Sequence, residues 1–203
     1  MKNRFMGLLV VLFVAFNSTP SIAQQANGKL TVDIQLFTSD VKLKPKVETI
    51  LKAGGLEWGA KDGNVVFTTV NKRFINFDIQ NYTAYGKQTT IDLPAGDYSI
   101  SGVGFIPSTG FSPEKILAKG AYINEKIMSI RIEADKTSVI KIRPIIQKNA
   151  TFFVNLFMPE LLITTVTPEG VSSSEVSIVA KDEKSLPWAT YTGFLKLPAQ
   201  ETK

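Results

Sequence analysis

The chain has 203 residues, a formal net charge of +5 at pH 7, and neither cysteine nor histidine. The missing side chains exclude disulfides, a lipoprotein anchor, zinc sites built on His or Cys, Ser–His–Asp and Cys–His nucleophile systems, and haem held by His or Cys. The basic residues are scattered and alternate with apolar positions, as on solvated strand faces, so nucleic acid is not an expected partner.

The N-terminus has the pattern of an export signal. Lys2 and Arg4 precede an apolar run over residues 6–16, which is too short to span a bilayer as a helix. Ser21 and Ala23 then place small side chains where a signal peptidase cleaves. We predict cleavage after Ala23 and a mature chain that is periplasmic or secreted, without a stable membrane span. An uncut N-terminal membrane anchor is the alternative.

Alternating hydrophobicity and turn residues predict the elements of the next part of the chain. They are a half-buried strand over 28–37, a short helix over 45–54, a hairpin with strands over 56–58 and 65–70 around Asp62-Gly63, and a strand over 74–79 followed by a loop over 81–87. The helix would begin at Pro45 and end before glycines. A strand and a loop in its place is the alternative.

The clearest local pattern is the stretch TTIDLPAGDYSISGV from Thr89 to Val103, in which apolar and polar residues alternate on both sides of Pro94-Ala-Gly96. Pro94 favours the second position of a type I turn. Gly96 can adopt the left-handed conformation that a three-residue loop with a bulge requires. The pattern therefore predicts a β-hairpin.

The same signals continue to the C-terminus. They predict a short helix over 112–120, strands over 127–133 and 139–146, a strand buried on both faces over 151–158 that 161–166 continues, a linker-like segment over 167–174, and strands over 176–180 and 188–197. The many short strands and one or two short helices predict an all-β fold, an antiparallel β-sandwich of Ig-like architecture or of the type implied by the resemblance described next. We expect one domain over 24–203, with a subdivision near 148 as the alternative.

One run of residues carries a family resemblance. Ile91-Asp-Leu-Pro-Ala-Gly-Asp-Tyr98 is followed by an Ile-rich strand and then by Glu133-Ala-Asp-Lys-Thr-Ser-Val-Ile-Lys-Ile142. This order resembles the prealbumin-like and carboxypeptidase-regulatory-like β-sandwich modules of exported proteins. The resemblance covers about residues 28–146; it implies a fold and a non-catalytic accessory or binding role, and it supplies no site residue. The long segment between Phe105 and Asn124 departs from the pattern.

Carboxylates are the acid–base candidates that remain. Those near aromatic residues are Glu57, Asp62, Asp78, Asp92 and Asp97, and a pair of them could serve glycoside hydrolysis. Most of them alternate with apolar residues or lie in turns, which favours a role in solvating the sheet surface. We assign no catalytic residue, no metal ligand and no cofactor-binding residue, and we expect no cofactor.

Aromatic residues are the candidates for ligand binding. Trp58, Tyr82, Tyr85, Trp188 and Tyr191 are predicted near strand ends or loops, where such rings can stack on sugars or anchor a protein partner; core packing is the alternative. We expect an exported, non-enzymatic protein that binds or assembles in the cell envelope, with an envelope protein or a polysaccharide as partner. In one form of this hypothesis an exposed edge strand pairs with another chain. A glycan-binding or glycan-cleaving module is the alternative function.

Overall fold

A computed structural model describes residues 26–68, 74–106, 118–146 and 159–197. In chain order its elements are β1 (Asn27–Ile34), β2 (Thr38–Ser39), α1 (Pro45–Lys52), β3 (Gly55–Lys61), β4 (Asn64–Thr68), β5 (Ile79–Ala84), β6 (Lys87–Pro94), β7 (Gly96–Phe105), β8 (Ala121–Ile132), β9 (Thr137–Ile146), β10 (Glu160–Val166), β11 (Val176–Ser177), β12 (Leu186–Pro187) and a 3₁₀ helix (Trp188–Thr190). The strands form two sheets that pack against each other, which confirms the prediction of an all-β sandwich with few helices. None of the helices in these ranges is long and apolar enough to cross a membrane.

The first sheet, sheet A, has the strand order β11–β10–β9–β1–β6. Its strand β1 pairs antiparallel with β6 on one side and parallel with β9 on the other, so the sheet is mixed rather than purely antiparallel. The side chains of Leu30, Val32 and Ile34 are fully buried and alternate with partly or fully exposed neighbours, as the predicted half-buried strand requires.

The second sheet, sheet B, has the order β12–β8–β7–β4–β3–β5, with β4 and β7 parallel. Strands β3 and β4 form the predicted hairpin around Asp62 and Gly63, whose φ angles are 44° and 72°. Positive φ at both central residues is what a two-residue type I′ turn requires, and it explains the Asp-Gly sequence there. This hairpin and the helix at Pro45 are both confirmed predictions.

Both faces of sheet B carry buried apolar side chains. One face packs against sheet A through residues such as Trp58 and Phe67, which belong to the main core. The other face carries Val66, Val103 and Ile123, which form a second core with residues of segments 74–77 and 188–195. Because successive side chains of a strand point to opposite faces, Val66 and Phe67 lie in different cores although they are neighbours in the chain.

The predicted hairpin over Thr89–Val103 is wrong: its two arms are the strands β6 and β7, and these lie in different sheets. Strand β6 pairs with β1 in sheet A, whereas β7 pairs with β4 and β8 in sheet B. Leu93 of β6 and Tyr98 and Ile100 of β7 point into the space between the sheets. The Tyr98 hydroxyl donates a hydrogen bond to the Pro94 carbonyl (3.0 Å) across the corner. Gly96 is not among the residues with positive φ, so no left-handed loop residue is used here.

Two further strand predictions need correction. Within 74–79, Ile75 makes only an isolated bridge to Lys196. Strand β5 begins at Ile79 and ends at Ala84, inside the predicted loop, of which residues 85–86 form a turn. The predicted last strand over 188–197 is a 3₁₀ helix followed by irregular chain. In both segments the apolar residues cover the outer face of sheet B instead of joining its ladder, which alternation alone does not reveal.

The remaining predictions concern the C-terminal half. Strands near 127–133 and 139–146 are present as parts of β8 and β9, but they lie in different sheets. Strand β10 pairs with β9, and the segment over 167–174 joins β10 to β11 within sheet A. The predicted strand over 151–158 and most of the predicted helix over 112–120 lie outside the described residues.

Candidate functional site

The candidate carboxylates do not form an enclosed pair in the described chain. Asp62 and Asp78 both pair with the Lys61 ammonium, at 3.7 and 2.8 Å, and their side chains are 65% and 55% exposed. The hydrogen bond that Lys61 donates to Asp78 is the main cause that raises the pKa of Lys61, and the negative charge of Asp62 raises it further. Such exposed ion pairs solvate a strand end and contribute little to stability.

The other three carboxylates are separated from one another. Asp92 lies on β6 and pairs with Lys29, Asp97 is exposed on β7, and Glu57 is buried on β3, where it accepts a hydrogen bond from the Gln80 amide. Within the described ranges, no three acidic side chains converge in a group that could hold a metal ion.

Trp58 lies in the middle of β3 and is fully buried in the main core. Its ring stacks on Phe67 with a centroid distance of 6.0 Å, and its indole N–H donates to the Thr83 hydroxyl at 2.9 Å. The Thr83 hydroxyl in turn shares a hydrogen bond with that of Thr89, at 2.7 Å. Because Thr83 is on β5 and Thr89 on β6, this chain of hydrogen bonds connects sheet B to sheet A.

The two candidate tyrosines of β5 and its turn differ in exposure. Tyr85 is buried against Phe37, and its burial raises its pKa above the ordinary range. Tyr82 is 48% exposed, and its ring lies over Gly55, where a Cβ atom would meet the ring at 2.7 Å. Of the five predicted binding aromatics, Tyr82 is therefore the one whose ring is open to a ligand in this structure.

Trp188 and Tyr191 pack in the second core rather than in a surface loop. Their rings stack at 5.4 Å, and Phe74 meets Trp188 edge-on at 5.3 Å. The Tyr191 hydroxyl donates to a Glu125 carboxylate oxygen at 2.6 Å; burial first, and then this bond, raises the pKa of Tyr191. The structure thus places these rings together as a cover for sheet B and separates them from Trp58 and Tyr82.

Hydrogen bonds from β8 to the segment of residues 178–180 connect the two sheets at the side opposite β5 and β6. The Asn124 amide donates to the carbonyls of Ile178 (3.2 Å) and Ala180 (2.8 Å), and the Tyr122 hydroxyl donates to the Val179 carbonyl (2.7 Å). These bonds hold the segment that leads from β11 in sheet A to β12 in sheet B.

The buried Tyr122 hydroxyl is expected to lower the free energy of unfolding as the pH becomes alkaline. Burial, with a smaller contribution from Glu160, raises the pKa of Tyr122 from 10 to about 12. The unfolded chain ionises first, so this contribution to stability is complete below pH 10 and is lost as the pH rises toward 12. We expect Tyr122→Phe to lose less free energy of unfolding than the wild type over this interval in denaturant titrations. Equal losses in the two proteins would contradict this expectation.

Strand β6 is the last strand of sheet A among the described strands, and with eight residues it is longer than β5, the six-residue strand that ends sheet B on the same side. The opposite ends of the two sheets are the two-residue strands β11 and β12. Lys87, Gln88, Thr90 and Asp92 are exposed, so the eight-residue edge of β6 is open to solvent. An exposed edge of this kind can accept another strand.

The direction of the β6 peptide groups follows from the hydrogen bonds of β1. The Ala26 carbonyl accepts from Ala95 N–H (2.9 Å), whereas Lys29 N–H donates toward β9, to the Lys136 carbonyl (2.8 Å). The backbone N–H and C=O groups of the even-numbered β1 residues therefore point toward β6. Because Leu30 lies opposite Ile91 in the register, the backbone groups of the odd-numbered β6 residues point toward β1. The peptide groups of Gln88, Thr90 and Asp92 are left pointing outward, away from the sheet.

The side chains beside this edge form a neutral polar surface. Thr31 and Thr90 share a hydrogen bond at 2.8 Å, and the Lys29 ammonium lies 3.2 Å from the Asp92 carboxylate. The sequence predicts an exposed edge strand in general but does not indicate which strand it is. Alternation identifies β6 as a strand, yet only the pairing shows that it is an edge.

No protein-family model, curated protein or solved structure matches this chain. The resemblance to prealbumin-like modules therefore stays a prediction.

Proposed function

We propose that this protein is an exported, non-enzymatic β-sandwich that acts by binding, and that strand β6 is its binding element. The observation that carries the proposal is the outward row of peptide groups at Gln88, Thr90 and Asp92 on an exposed edge. A strand from a partner would continue sheet A there by main-chain hydrogen bonds.

The character of the edge supports this proposal. Natural edges are commonly blocked by lysine, proline or a bulge along the strand. In β6 the lysine and the proline are the terminal residues, Lys87 and Pro94, and the register with β1 runs without a shift between them. The charge within the strand, Asp92, is paired with Lys29. A continuous stretch of backbone is thus left free of these obstacles.

A non-enzymatic role is supported by the residues available for chemistry. The chain contains no histidine or cysteine, and Asp62, Asp78 and Asp92 form exposed ion pairs with lysines. An export signal over residues 1–23 would place the protein in the periplasm or outside the cell. We propose the cell envelope as the place where the edge meets its partner.

The test compares Thr90→Pro with Thr90→Ala. Both variants remove the hydroxyl that contacts Thr31, but proline also removes the outward N–H donor, which an edge strand tolerates because that donor is not part of the β1 ladder. In pull-downs from a solubilised envelope extract, we expect Thr90→Ala to retain the partner and Thr90→Pro to reduce its capture about tenfold or more.

Denaturant titrations should show similar free energies of unfolding for the two variants, which separates a lost partner from a lost fold. Gln88→Pro against Gln88→Ala repeats the comparison at a second outward peptide. Equal capture by alanine and proline variants, or a wild type that binds neither an envelope protein nor a second copy of itself, would contradict the proposal.

A further inference from the structure

We infer that the occupant of the β6 edge is a second copy of this chain, paired antiparallel about a two-fold axis at Thr90. This inference rests on the proposed function, because it needs the same edge to accept a strand. Homo-oligomers of this kind use one surface patch twice, so the patch must be complementary to itself. The sequence of β6 meets that condition in one register.

The register is set by the outward peptide groups. When Thr90 lies opposite Thr90 of the second copy, Gln88 lies opposite Asp92 of the second copy, and Asp92 lies opposite its Gln88. In each of these pairs, both residues direct their backbone N–H and C=O toward the other copy, so the two residues can exchange two hydrogen bonds. All outward groups of residues 88–92 are then used, and sheet A would continue unbroken through both copies.

The side chains agree with this register. On the solvated face, the Gln88 amide would lie beside the Asp92 carboxylate, and two threonine hydroxyls would meet at the centre; such cross-strand pairs are favourable. On the core side, Thr89 would lie opposite the partly buried Ile91. No like charges lie directly opposite each other, because the charged residues of β6, Lys87 and Asp92, would face Leu93 and Gln88.

Neighbouring registers are worse for definite reasons. A shift by two residues in one direction places Pro94, which has no N–H, opposite Gln88 and loses a donor. A further shift in the same direction places Asp92 opposite Asp92, and like charges directly opposite each other are destabilising. A shift in the other direction places Asp92 opposite the turn residue Gly86 and shortens the ladder. The two-fold register at Thr90 is the one that the strand supports best.

Cysteine cross-linking tests the register directly, since the native chain has no cysteine. In the proposed pair the Cα atoms of residue 90 would be about 5.5 Å apart, within the range of about 4.4–6.8 Å that a disulfide spans. Thr137→Cys is the matched control: it is also an exposed threonine, but it lies on β9, two strands further in. Its Cα atoms would be at least about 24 Å apart across the pair.

We expect micromolar Thr90→Cys to form disulfide dimers under mild oxidation at least about tenfold faster than Thr137→Cys, because pairing raises the effective concentration of the thiols. Analytical ultracentrifugation should show a wild-type dimer that Thr90→Pro dissociates and Thr90→Ala retains. Equal cross-linking at the two positions, a wild-type monomer at high concentration, or a dimer that persists in Thr90→Pro would overturn the inference.

The outcomes also separate this inference from the proposed function. Suppose that the wild type is monomeric and binds a different envelope protein, and that Thr90→Pro abolishes this binding whereas Thr90→Ala retains it. Then β6 is a binding element, and only the inference that its occupant is a second copy is wrong. If neither dimer nor partner depends on residue 90, both proposals fail.

Discussion

Trp58→Ala is expected to lower the free energy of unfolding by about 3–5 kcal/mol, the range for removing a large buried ring. Trp58 is fully buried between the sheets, so the deletion leaves a cavity beside Phe67 that the sandwich cannot easily fill. It also removes the donor to Thr83, part of the hydrogen-bond chain that reaches Thr89 on the other sheet. Denaturant titration with intrinsic fluorescence from Trp188 measures the change.

Trp58→Phe is the matched control, because it keeps an apolar ring and loses the indole N–H and some volume. We expect it to cost about 1–2 kcal/mol, the sum of a lost hydrogen bond and a smaller cavity. A stable Trp58→Ala variant that loses binding to a polysaccharide would show instead that this ring faces a ligand, as one hypothesis from the sequence holds.

Among glycine-to-alanine substitutions on β7, Gly102→Ala is expected to lower the free energy of unfolding most. A Cβ atom at Gly102 would lie 2.2 Å from the Ile178 carbonyl oxygen, which is backbone and cannot rotate away. Ile178 is fully buried, and its carbonyl accepts a hydrogen bond from the Asn124 amide. Relief of the clash must therefore displace the segment of residues 178–180. We expect a loss of about 3 kcal/mol or more of unfolding free energy, above the usual cost of overpacking.

Gly96→Ala is the matched control on the same strand. Nothing lies within 4 Å of its prospective Cβ atom, and its φ is not positive. The same added methyl group should therefore leave stability unchanged or raise it by about 0.4–1 kcal/mol, through the unfolded chain. Hydrogen exchange should show faster opening of residues 178–185 in Gly102→Ala only. Similar behaviour of the two variants would mean that Ile178 does not rest on Gly102.

Local chemistry explains which elements of the fold the sequence predicts. The Asp62-Gly63 turn, the helix at Pro45 and the alternation of β1 depend on neighbours in the chain, and all three are confirmed. The arms of the predicted hairpin at Pro94 are real strands, but their partners are distant in sequence. Alternation tells which side of a strand is buried and gives no information on which strand lies beside it.

The same limit applies to the candidate site. Trp58 and Trp188 look alike in sequence, each near a predicted strand end, yet one fills the space between the sheets and the other covers the outer face of sheet B. Thr90 has no distinguishing feature in the sequence. Its importance comes from the outward direction of its peptide group, which follows from the pairing of β6 with β1.

The position of β1 at the centre of sheet A affects how the chain can fold. The first described strand is held between β6 and β9, and β9 lies far along the chain from it. Sheet A therefore cannot assemble until most of the chain is available, and closing such long loops before any pairing is gained slows folding. During synthesis, β1 would emerge long before β6 and longer still before β9.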